Sequence, residues 1–517
     1  MSSVTANELL DILRRRGPML SSDLVGQLLA SGVSPTAARQ RVSRSKEPIR
    51  RLEDVRFPHN ERFIYLKEHE RTAAYYRAFL DAAERTNSAY GVCLRALMVR
   101  GGVCPAHSFD VLSGCPITST QHVSSAKVRE NLLAIGAIRY GAKLGPEGTG
   151  IVLHDEIRSP IGISLVRARL VAETVALGAL REWLKKLGFV SYNKATIRGE
   201  DPVFASFRFD LVGPSYLRPL ASITKKKLQP GFLVADIHLG HEMDLPGIGY
   251  FLRKTAILRS AGSNRAFLAL LICDKFSHDA LRQGRAPGIL LATPAALFGD
   301  DVAEALRDLV GVLANVAEAS TRDPDIVNDL FSRLSRIEGA SGNIRGPLFE
   351  FLTAHIVTAK FSSSSVDVGR TITASELQKS AEIDILHVLK GQSRVEVYEC
   401  RGHEPGHVVS LSDVQKWCCE RIPIVRAWLL EHPDYSSLRH RFNYWTTGAF
   451  SPDAAGFLTS ARNRTKVYEI AWLDGEGVVE EARLVHAAAA VKALNEHYVR
   501  HPIATSLAAS ANPSPRQ

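Results

Sequence analysis

The sequence predicts a multidomain α+β fold, with small helix-and-hairpin units at the start and two larger α/β domains behind them. Three observations support this. A chain of 517 residues is too long for one hydrophobic core and indicates three or four domains. The first 70 residues follow a helix, helix, helix, hairpin pattern. Residues 160–310 and 320–460 each alternate helical with extended patterns, as α/β domains do.

Composition indicates a globular protein and argues against a membrane-spanning one. Apolar residues make up 45% of the chain and charged residues 23%, which is ordinary for a globular protein. No apolar run approaches the roughly 18 residues that a membrane span needs, and the first ten residues lack a signal pattern. We therefore expect a cytoplasmic protein without membrane contact. The seven cysteines form no CxxC pair, which argues against a zinc ribbon or a thioredoxin-like site.

The positive charge is concentrated at one end of the chain. The net charge is +10, and residues 1–150 hold 21 Lys and Arg against 14 Asp and Glu, or +7. A basic block of this kind favours a polyanionic partner, although a solvated basic surface without a ligand has the same composition. Charge alone leaves both interpretations open.

A short basic helix is the third element of the first 70 residues. Ser34 followed by Pro35 predicts its N-terminus, because Ser caps helices and Pro is tolerated at the first helical position. Two extended runs follow, Ile49 to Phe57 and Arg62 to Lys67, and Pro58 to Asn60 form the turn between them. Three helices followed by a β-hairpin resemble a winged-helix domain.

The winged-helix resemblance implies how this unit would bind DNA. In that family the third helix enters the major groove and the hairpin tip touches the backbone. The resemblance therefore implies a DNA-contacting role for four basic residues on the third helix: Arg39, Arg41, Arg44 and Lys46. Many winged helices mediate only protein contacts, which is the competing interpretation.

Residues 71–157 repeat the pattern less clearly. The run from Val123 to Ile135 predicts a helix that carries Lys127 and Arg129, the candidate DNA-binding residues of this unit. The Gly-rich segment at 141–150 lacks the Gly-Lys-Ser/Thr ending of a phosphate-binding loop and is better explained as a wing turn.

A set of carboxylates marks the second α/β segment. Glu350 lies in an apolar helix, Asp384 in a strand, and Glu399 and Arg401 in the next strand. If the turn is centred between Gly391 and Gln392, Asp384 and Glu399 face each other directly across the hairpin. Like charges in that position repel, and a divalent cation between them would remove the conflict. Arg401, two residues beyond Glu399, shares its face of the strand.

This order resembles the PD-(D/E)xK nuclease fold of the restriction-endonuclease-like superfamily. The superfamily's signature is an acid on the first helix, an Asp on one strand and Glu-x-Lys on the next, matched here by Glu350, Asp384, Glu399 and Arg401. The resemblance implies that acids such as Asp384 and Glu399 bind Mg²⁺ (or Mn²⁺), which activates water for phosphodiester hydrolysis. Arg401 replaces the usual Lys and cannot serve as a base, so Lys416 on the following helix is a candidate for the missing amine.

The first α/β segment shows a similar order. Glu173 lies on the apolar stripe of a helix predicted from Leu165 to Leu187, where a carboxylate is costly unless it is paired or metal-bound. Asp210 follows on one strand, and Asp236 and His238 lie on another, so that Asp-x-His replaces Glu-x-Lys. Asp210 and Asp236 are the candidate metal ligands, and the neutral imidazole of His238 could accept a proton.

The expected architecture is two winged-helix units followed by two α/β restriction-endonuclease-like domains. The expected bounds are 1–70, 71–157, 158–315 (with a degenerate site as one alternative) and 316–500, with a disordered tail at 501–517.

The expected function is metal-dependent cleavage of duplex DNA, with a role in genome defence suggested only by association with the fold. Two alternatives stay open. One is a non-catalytic DNA-binding regulator or scaffold with degenerate nuclease folds, and the other is an RNA-directed nuclease. The sequence also leaves open whether the chain acts as a homodimer or with a partner protein.

Overall fold

The computed structural model describes residues 2–144, 147–218, 220–224, 227–261, 265–314, 329–330, 333–334, 340–360 and 365–499. It is a mixed α/β multidomain protein that divides into two compact units. The first unit comprises Met1–Ala142, Gly148–Gly162 and Leu184–Thr293, and the second comprises Lys143–Glu147, Ile163–Trp183 and Pro294–Gln517. The tail expected at 501–517 lies outside the described residues.

The helices before Pro294 are α1 Ser2–Arg16, α2 Ser21–Ala30, α3 Pro35–Ser43, α4 Ala73–Arg85, α5 Ala89–Val99, α6 Phe109–Leu112, α7 Ser125–Ala134, α8 Ile163–Lys186, α9 Leu245–Ser260 and α10 His278–Arg285, and all but the long helix α8 belong entirely to the first unit. Those of the second unit are α11 Pro294–Phe298, α12 Asp300–Ala314, α13 Ala340–Lys360, α14 Leu411–Lys416, α15 Ile422–Glu431, α16 Pro452–Arg464, α17 Gly475–Leu484 and α18 Ala488–Leu494.

The strands up to the end of the first sheet are β1 Met19–Leu20, β2 Ile49–Arg51, β3 Phe63–Leu66, β4 Val103–Pro105, β5 Ile138–Lys143, β6 Thr149–Leu153, β7 Thr196–Ile197, β8 Val203–Phe204, β9 Phe207–Arg208, β10 Leu211–Ser215, β11 Ser222–Thr224, β12 Lys227–Gln229, β13 Gly231–Met243, β14 Phe267–Phe276 and β15 Ile289–Ala292. The remaining strands are β16 Ser365–Ala374, β17 Lys379–Leu389, β18 Arg394–Arg401, β19 Val408–Val409, β20 Arg439–Thr446, β21 Ala449–Phe450 and β22 Glu469–Leu473.

The first 70 residues contain the predicted three helices and hairpin. Helices α1 to α3 pack around Leu13, Leu24 and Val42, which are buried. Strands β2 and β3 pair antiparallel and are shorter than the predicted extended runs. The two-residue strand β1, which the sequence pattern did not reveal, pairs with β3 and gives the sheet order β1-β3-β2.

The hairpin segment between β2 and β3 is partly used for packing. Val55 and Phe57 are 1% and 3% exposed and belong to the core that also contains Tyr90 of the second helical unit. The Asn131 side chain on α7 donates a 2.7 Å hydrogen bond to the Asp54 carbonyl. Buried aromatic rings and a partly buried hydrogen bond therefore join the two helical units into one core.

The second helical unit repeats the order of the first. Helix α5, strand β4, helices α6 and α7, and strands β5 and β6 follow one another, and the sheet order β4-β6-β5 matches β1-β3-β2. Helix α4 is an addition at its start. Helix α7 is shorter than the predicted run to Ile135, and the Ser124 hydroxyl caps it by accepting the Lys127 N–H.

Two five-stranded sheets with the same connectivity form the cores of the α/β regions. The first has the order β15-β14-β13-β10-β7, and the second β16-β17-β18-β20-β22. In each, the first three strands in sequence pair antiparallel and the last two join in parallel. Parallel neighbours require crossovers, and helices supply them: α9 and α10 in the first sheet, α14 to α16 in the second.

The predicted register of the β17–β18 hairpin is confirmed. The ladder runs from Leu389 opposite Arg394 to Ile385 opposite Tyr398, and a 3₁₀ turn at Lys390–Gln392 connects the strands. The register follows from the turn, because a fixed turn leaves only one alignment of the two buried faces.

Candidate functional site

Asp384 and Glu399 lie where the β17–β18 hairpin reaches the middle of the second sheet. One step beyond the pair Ile385 and Tyr398, the same register places the two carboxylates opposite each other. Both residues are 5% exposed. The Cys400 backbone N–H donates a 2.7 Å hydrogen bond to Asp384 Oδ2, which fixes that carboxylate against the neighbouring strand.

Two guanidinium groups hold Glu399. Arg401, on the same face of β18, forms an ion pair with Glu399 Oε1. Arg421 Nη1 donates to both Glu399 oxygens, at 2.7 and 2.9 Å. Arg421 ends the π-helical turn Trp417–Arg421, whereas Lys416, just before that turn, is exposed and is not among the residues lining the cavity described below. The second cation that holds Glu399, besides Arg401, is therefore Arg421 and not the predicted Lys416.

Burial raises the pKa of the acids that lack such a partner. Burial, and next the charge of Glu399, raise the pKa of Asp384 from 3.8 to about 7. Burial, and next the charge of Asp384, raise the pKa of Glu350 on α13 well above its usual range. The charged forms of Asp384 and Glu350 are therefore disfavoured in this site.

Glu350, Asp384 and Arg401 line a cavity of about 700 Å³ within the second unit, whereas Glu399 and Arg421 are not among its lining residues. Its wall includes Arg167 from helix α8, which forms an ion pair with Glu382 on β17. Gly369 has a positive φ of 67°, and a Cβ there would overlap the Arg167 guanidinium. The charged residues lining the cavity are Glu147, Arg167, Glu350, Asp367, Arg370, Glu382, Asp384 and Arg401.

The sequence alone did not assign Arg167, Glu382 or Arg421 to this site. Glu382 had a usable signal, because it lies two residues before Asp384 and therefore on the same face of the strand. Arg167 had none, since it precedes Glu382 by 215 residues.

The donor chemistry of this site fits a divalent cation. Mg²⁺ and Mn²⁺ prefer carboxylate oxygens. Burial first, and the charge of Glu399 second, raise the pKa of Asp384. Within the ranges that the structure describes, no group of three or more His, Cys, Asp or Glu side chains is arranged to hold a metal ion. The pair that the strand register offers to such an ion is Asp384 and Glu399, and both Glu399 oxygens already accept hydrogen bonds from Arg421.

The first sheet repeats this strand arrangement with Asp210 and Asp236. The β10–β13 ladder places Leu211 opposite Ala235, so its next step sets the two aspartates opposite each other. The Ile237 N–H donates to Asp210 Oδ2 at 3.0 Å, as the Cys400 N–H does to Asp384 in the second sheet. The Asp210 N–H in turn donates to Asp236 Oδ1 at 3.0 Å.

Two positively charged side chains of the protein pair with the carboxylates of this first-sheet site. Lys254 Nζ on α9 lies 2.7 Å from Asp236 Oδ2, and both side chains are fully buried. Arg198 Nε lies 2.9 Å from Asp210 Oδ1. Each of the four carboxylate oxygens thus has a protein donor, and two of the donors are the cations Lys254 and Arg198, which compensate the charges of both aspartates within the chain. The structure therefore gives the metal prediction for Asp210 and Asp236 no support.

Burial penalises the charges of the Lys254–Asp236 pair. Burial raises the pKa of Asp236 to about 6, and the Lys254 charge opposes that effect. Burial likewise lowers the pKa of Lys254. His238 is 2% exposed on the same strand as Asp236. Glu173, also 2% exposed, lies in Ile163–Trp183, which belongs to the second unit, whereas the other three residues belong to the first.

The basic residues predicted on the third helix divide into two groups. Arg39 on α3 is exposed, as are Arg44 and Lys46, which lie beyond the end of α3 at Ser43 because the helix is shorter than predicted. Arg41 Nη1 instead forms a 3.0 Å ion pair with Glu8 on α1, so this side chain joins two helices. Three of the four predicted DNA-binding side chains thus face solvent.

The two candidates on helix α7 also differ. Lys127 is exposed and lies 3.5 Å from Glu130. The Arg129 guanidinium lies over the Phe109 ring, 5.9 Å from its centroid, so it contributes to packing within the unit.

Comparisons with known proteins add little. No family model matches the chain, and no curated protein matches it. Among solved structures, the restriction endonuclease FokI aligns over 93% of this chain and 88% of its own, at 11% identity and a TM-score of 0.19. A TM-score this low does not establish a shared fold. Among the described residues, no helix is long and apolar enough to cross a membrane.

Proposed function

We propose that the chain binds duplex DNA and that its second unit hydrolyses DNA phosphodiester bonds with a bound Mg²⁺ or Mn²⁺ ion. The observation that carries the proposal is the buried pair Asp384 and Glu399, set opposite each other beside Arg401, with Asp384 and Arg401 on the wall of a large cavity. The order of helix acid, strand Asp and strand Glu-x-Arg within this sheet connectivity is what the resemblance to PD-(D/E)xK nucleases implies.

Each side chain has a role in this proposal. Asp384 and Glu399 would hold the ion, which when bound supplies an activated water and stabilises the leaving oxygen. Arg401 stays positively charged and would offset charge on the phosphate, but it cannot accept a proton. Arg421 keeps the Glu399 carboxylate in place by bonding to both of its oxygens. Arg421 is therefore a positioning residue.

DNA would be engaged through the first unit. Arg39 on helix α3, and Arg44 and Lys46 just beyond its end, present exposed cations, and residues 1–150 carry most of the net charge. Contacts between cations and phosphates provide affinity without sequence information, so binding should weaken steeply with salt.

The non-catalytic alternative is favoured for the first sheet only. Each of its two aspartates is paired with a cation of the chain, Lys254 or Arg198, so Asp210 and Asp236 would have a structural rather than a hydrolytic role.

The test is incubation of supercoiled plasmid with the pure protein and Mg²⁺ or Mn²⁺. Wild type should nick or linearise the plasmid, and E399Q should not while still binding DNA. D434N is the matched control, because the Asp434 side chain is 78% exposed. The double variant D236N/K254M should still cleave, since the first-sheet site takes no part.

Three results would change the conclusion. Intact DNA binding without cleavage by wild type would favour a scaffold or a nuclease that requires a partner. Cleavage that survives E399Q would place the chemistry elsewhere. Preferential cleavage of single-stranded RNA would contradict the choice of DNA as substrate.

A further inference from the structure

A small hairpin extends the connection between two strands of the first sheet. The β10–β13 ladder ends with Ser215 opposite Gly231, and the chain between them forms β11 and β12. These strands pair antiparallel, with Ile223 opposite Leu228, and form a two-stranded sheet of their own. An isolated two-stranded hairpin is only marginally stable in water, so the residues that it exposes call for a functional explanation.

The hairpin displays large aliphatic side chains to solvent. Ile223 is 77% exposed and Leu228 is 56% exposed. As direct cross-strand partners their Cβ atoms lie about 5 Å apart, so the two side chains form one apolar ridge. Tyr216, at the base of the hairpin, is 50% exposed.

The charged residues of the connecting segment have one sign. Between Asp210 and Asp236 the sequence has four basic residues and no acid: Arg218, Lys225, Lys226 and Lys227. Arg218 and Lys227 are exposed, and Lys225 and Lys226 lie outside the described residues. An apolar ridge on a segment whose charged residues are all basic suits a partner with an anionic surface and an apolar interior, and stacked base pairs between phosphate strands have that chemistry.

We propose that this hairpin is a second DNA-binding element, which enters the minor groove and inserts Ile223 and Leu228 at a base step. Apolar wedges of this size partly unstack a step and kink the duplex, and cations beside them contact the flanking phosphates. The inference rests on the DNA binding in the proposed function and is independent of the nuclease chemistry. An anionic membrane would attract the same charges, so it is one outcome of the test.

The test measures DNA bending in EDTA, so that cleavage plays no part. A 30-base-pair duplex with a fluorophore at each end reports the bend, and 2-aminopurine at the central step reports unstacking. The variant I223T/L228T places β-branched, strand-forming residues at both positions and removes the apolar ridge. The matched control is V467T/L484T, because Val467 and Leu484 are 68% and 67% exposed on the second unit.

Wild type and V467T/L484T should bend the duplex, whereas I223T/L228T should lose the bend and bind about tenfold more weakly. R218Q/K227Q should retain the bend and lower the slope of log K against log salt by about 2. Calorimetry should give the same unfolding temperature for all variants, since the altered side chains are exposed. Unchanged bending by I223T/L228T, or no bending by wild type, would overturn the proposal.

A further comparison separates the possible partners. If wild type binds phosphatidylserine vesicles through Ile223 and Leu228 but does not bend DNA, the hairpin is a membrane element and the proposal is wrong. Bending without any cleavage in Mg²⁺ would leave the hairpin proposal standing while the nuclease proposal fails. Cleavage without bending would support the nuclease proposal and overturn the hairpin proposal.

Discussion

Replacing Asp384 with Asn tests whether burial and the neighbouring Glu399 disfavour the charged form of Asp384 in the second-unit site. The pKa of this carboxyl is about 7, against 3.8 for an ordinary aspartate, because of burial and then the charge of Glu399. The folded protein therefore holds the proton more tightly than the unfolded chain does. The stabilisation that this proton gives is fully present below pH 3.8 and is lost as the pH rises through about 7.

The size of the effect follows from the shift. Each pKa unit corresponds to about 1.4 kcal/mol, so ionising Asp384 lowers the free energy of unfolding by roughly 4 kcal/mol in total. About 2.5 kcal/mol of that falls between pH 5 and pH 8. Asn has no charge to lose, and its side-chain oxygen can still accept the Cys400 N–H. D384N should therefore gain about 2.5 kcal/mol relative to wild type over this pH interval.

Urea unfolding at pH 5 and pH 8 in EDTA measures this difference. The five tryptophans all lie in the second unit, so their fluorescence reports the unfolding of that unit. D434N is the control, because its exposed side chain should leave the pH dependence as in wild type. The reasoning is refuted if D384N loses as much stability as wild type between the two pH values.

Adding Mg²⁺ at pH 8 extends the same experiment. A cation that binds only the folded protein stabilises it by about 2.7 kcal/mol at a concentration one hundred times its Kd. Wild type should show such a gain, and D384N should show none. Equal stabilisation of both proteins would contradict the proposed metal site and leave the pKa argument intact.

Three further predictions follow from other parts of the fold. K254M leaves Asp236 as a buried unpaired charge and should lower the free energy of unfolding in urea by about 3–5 kcal/mol. The double variant D236N/K254M should recover most of that loss, and no recovery would mean that the ion pair is not its cause. G369A should cost about 1–3 kcal/mol, since it strains a positive-φ position and displaces the Arg167 guanidinium; an unchanged unfolding midpoint would contradict the overlap. R39Q should weaken duplex binding in fluorescence anisotropy and lower the salt slope by about 1, and an unchanged slope would remove helix α3 from the interface.

The sequence by itself determined the order of the elements and the placement of the strand acids. The register of the β17–β18 hairpin could be predicted because one short turn aligns two strands of strict two-residue period. Asp384, Glu399 and Arg401 could be placed on one face for the same reason. The two-residue strand β1 was not predictable, because two residues are too few to show a period.

Only the tertiary structure decided which cations meet these acids. Lys416 and Arg421 were equally available on the helix after β18, but the π-helical turn between them changes the helical phase and brings Arg421 to Glu399. Lys254 closes the first-sheet site from a helix that no sequence pattern linked to Asp236. Local periodicity shows which face of an element is buried. Contacts between distant segments depend instead on how those faces pack. Packing alone therefore distinguishes the first-sheet site, where Lys254 pairs with Asp236, from the second-sheet site, where Asp384 lies on a cavity wall.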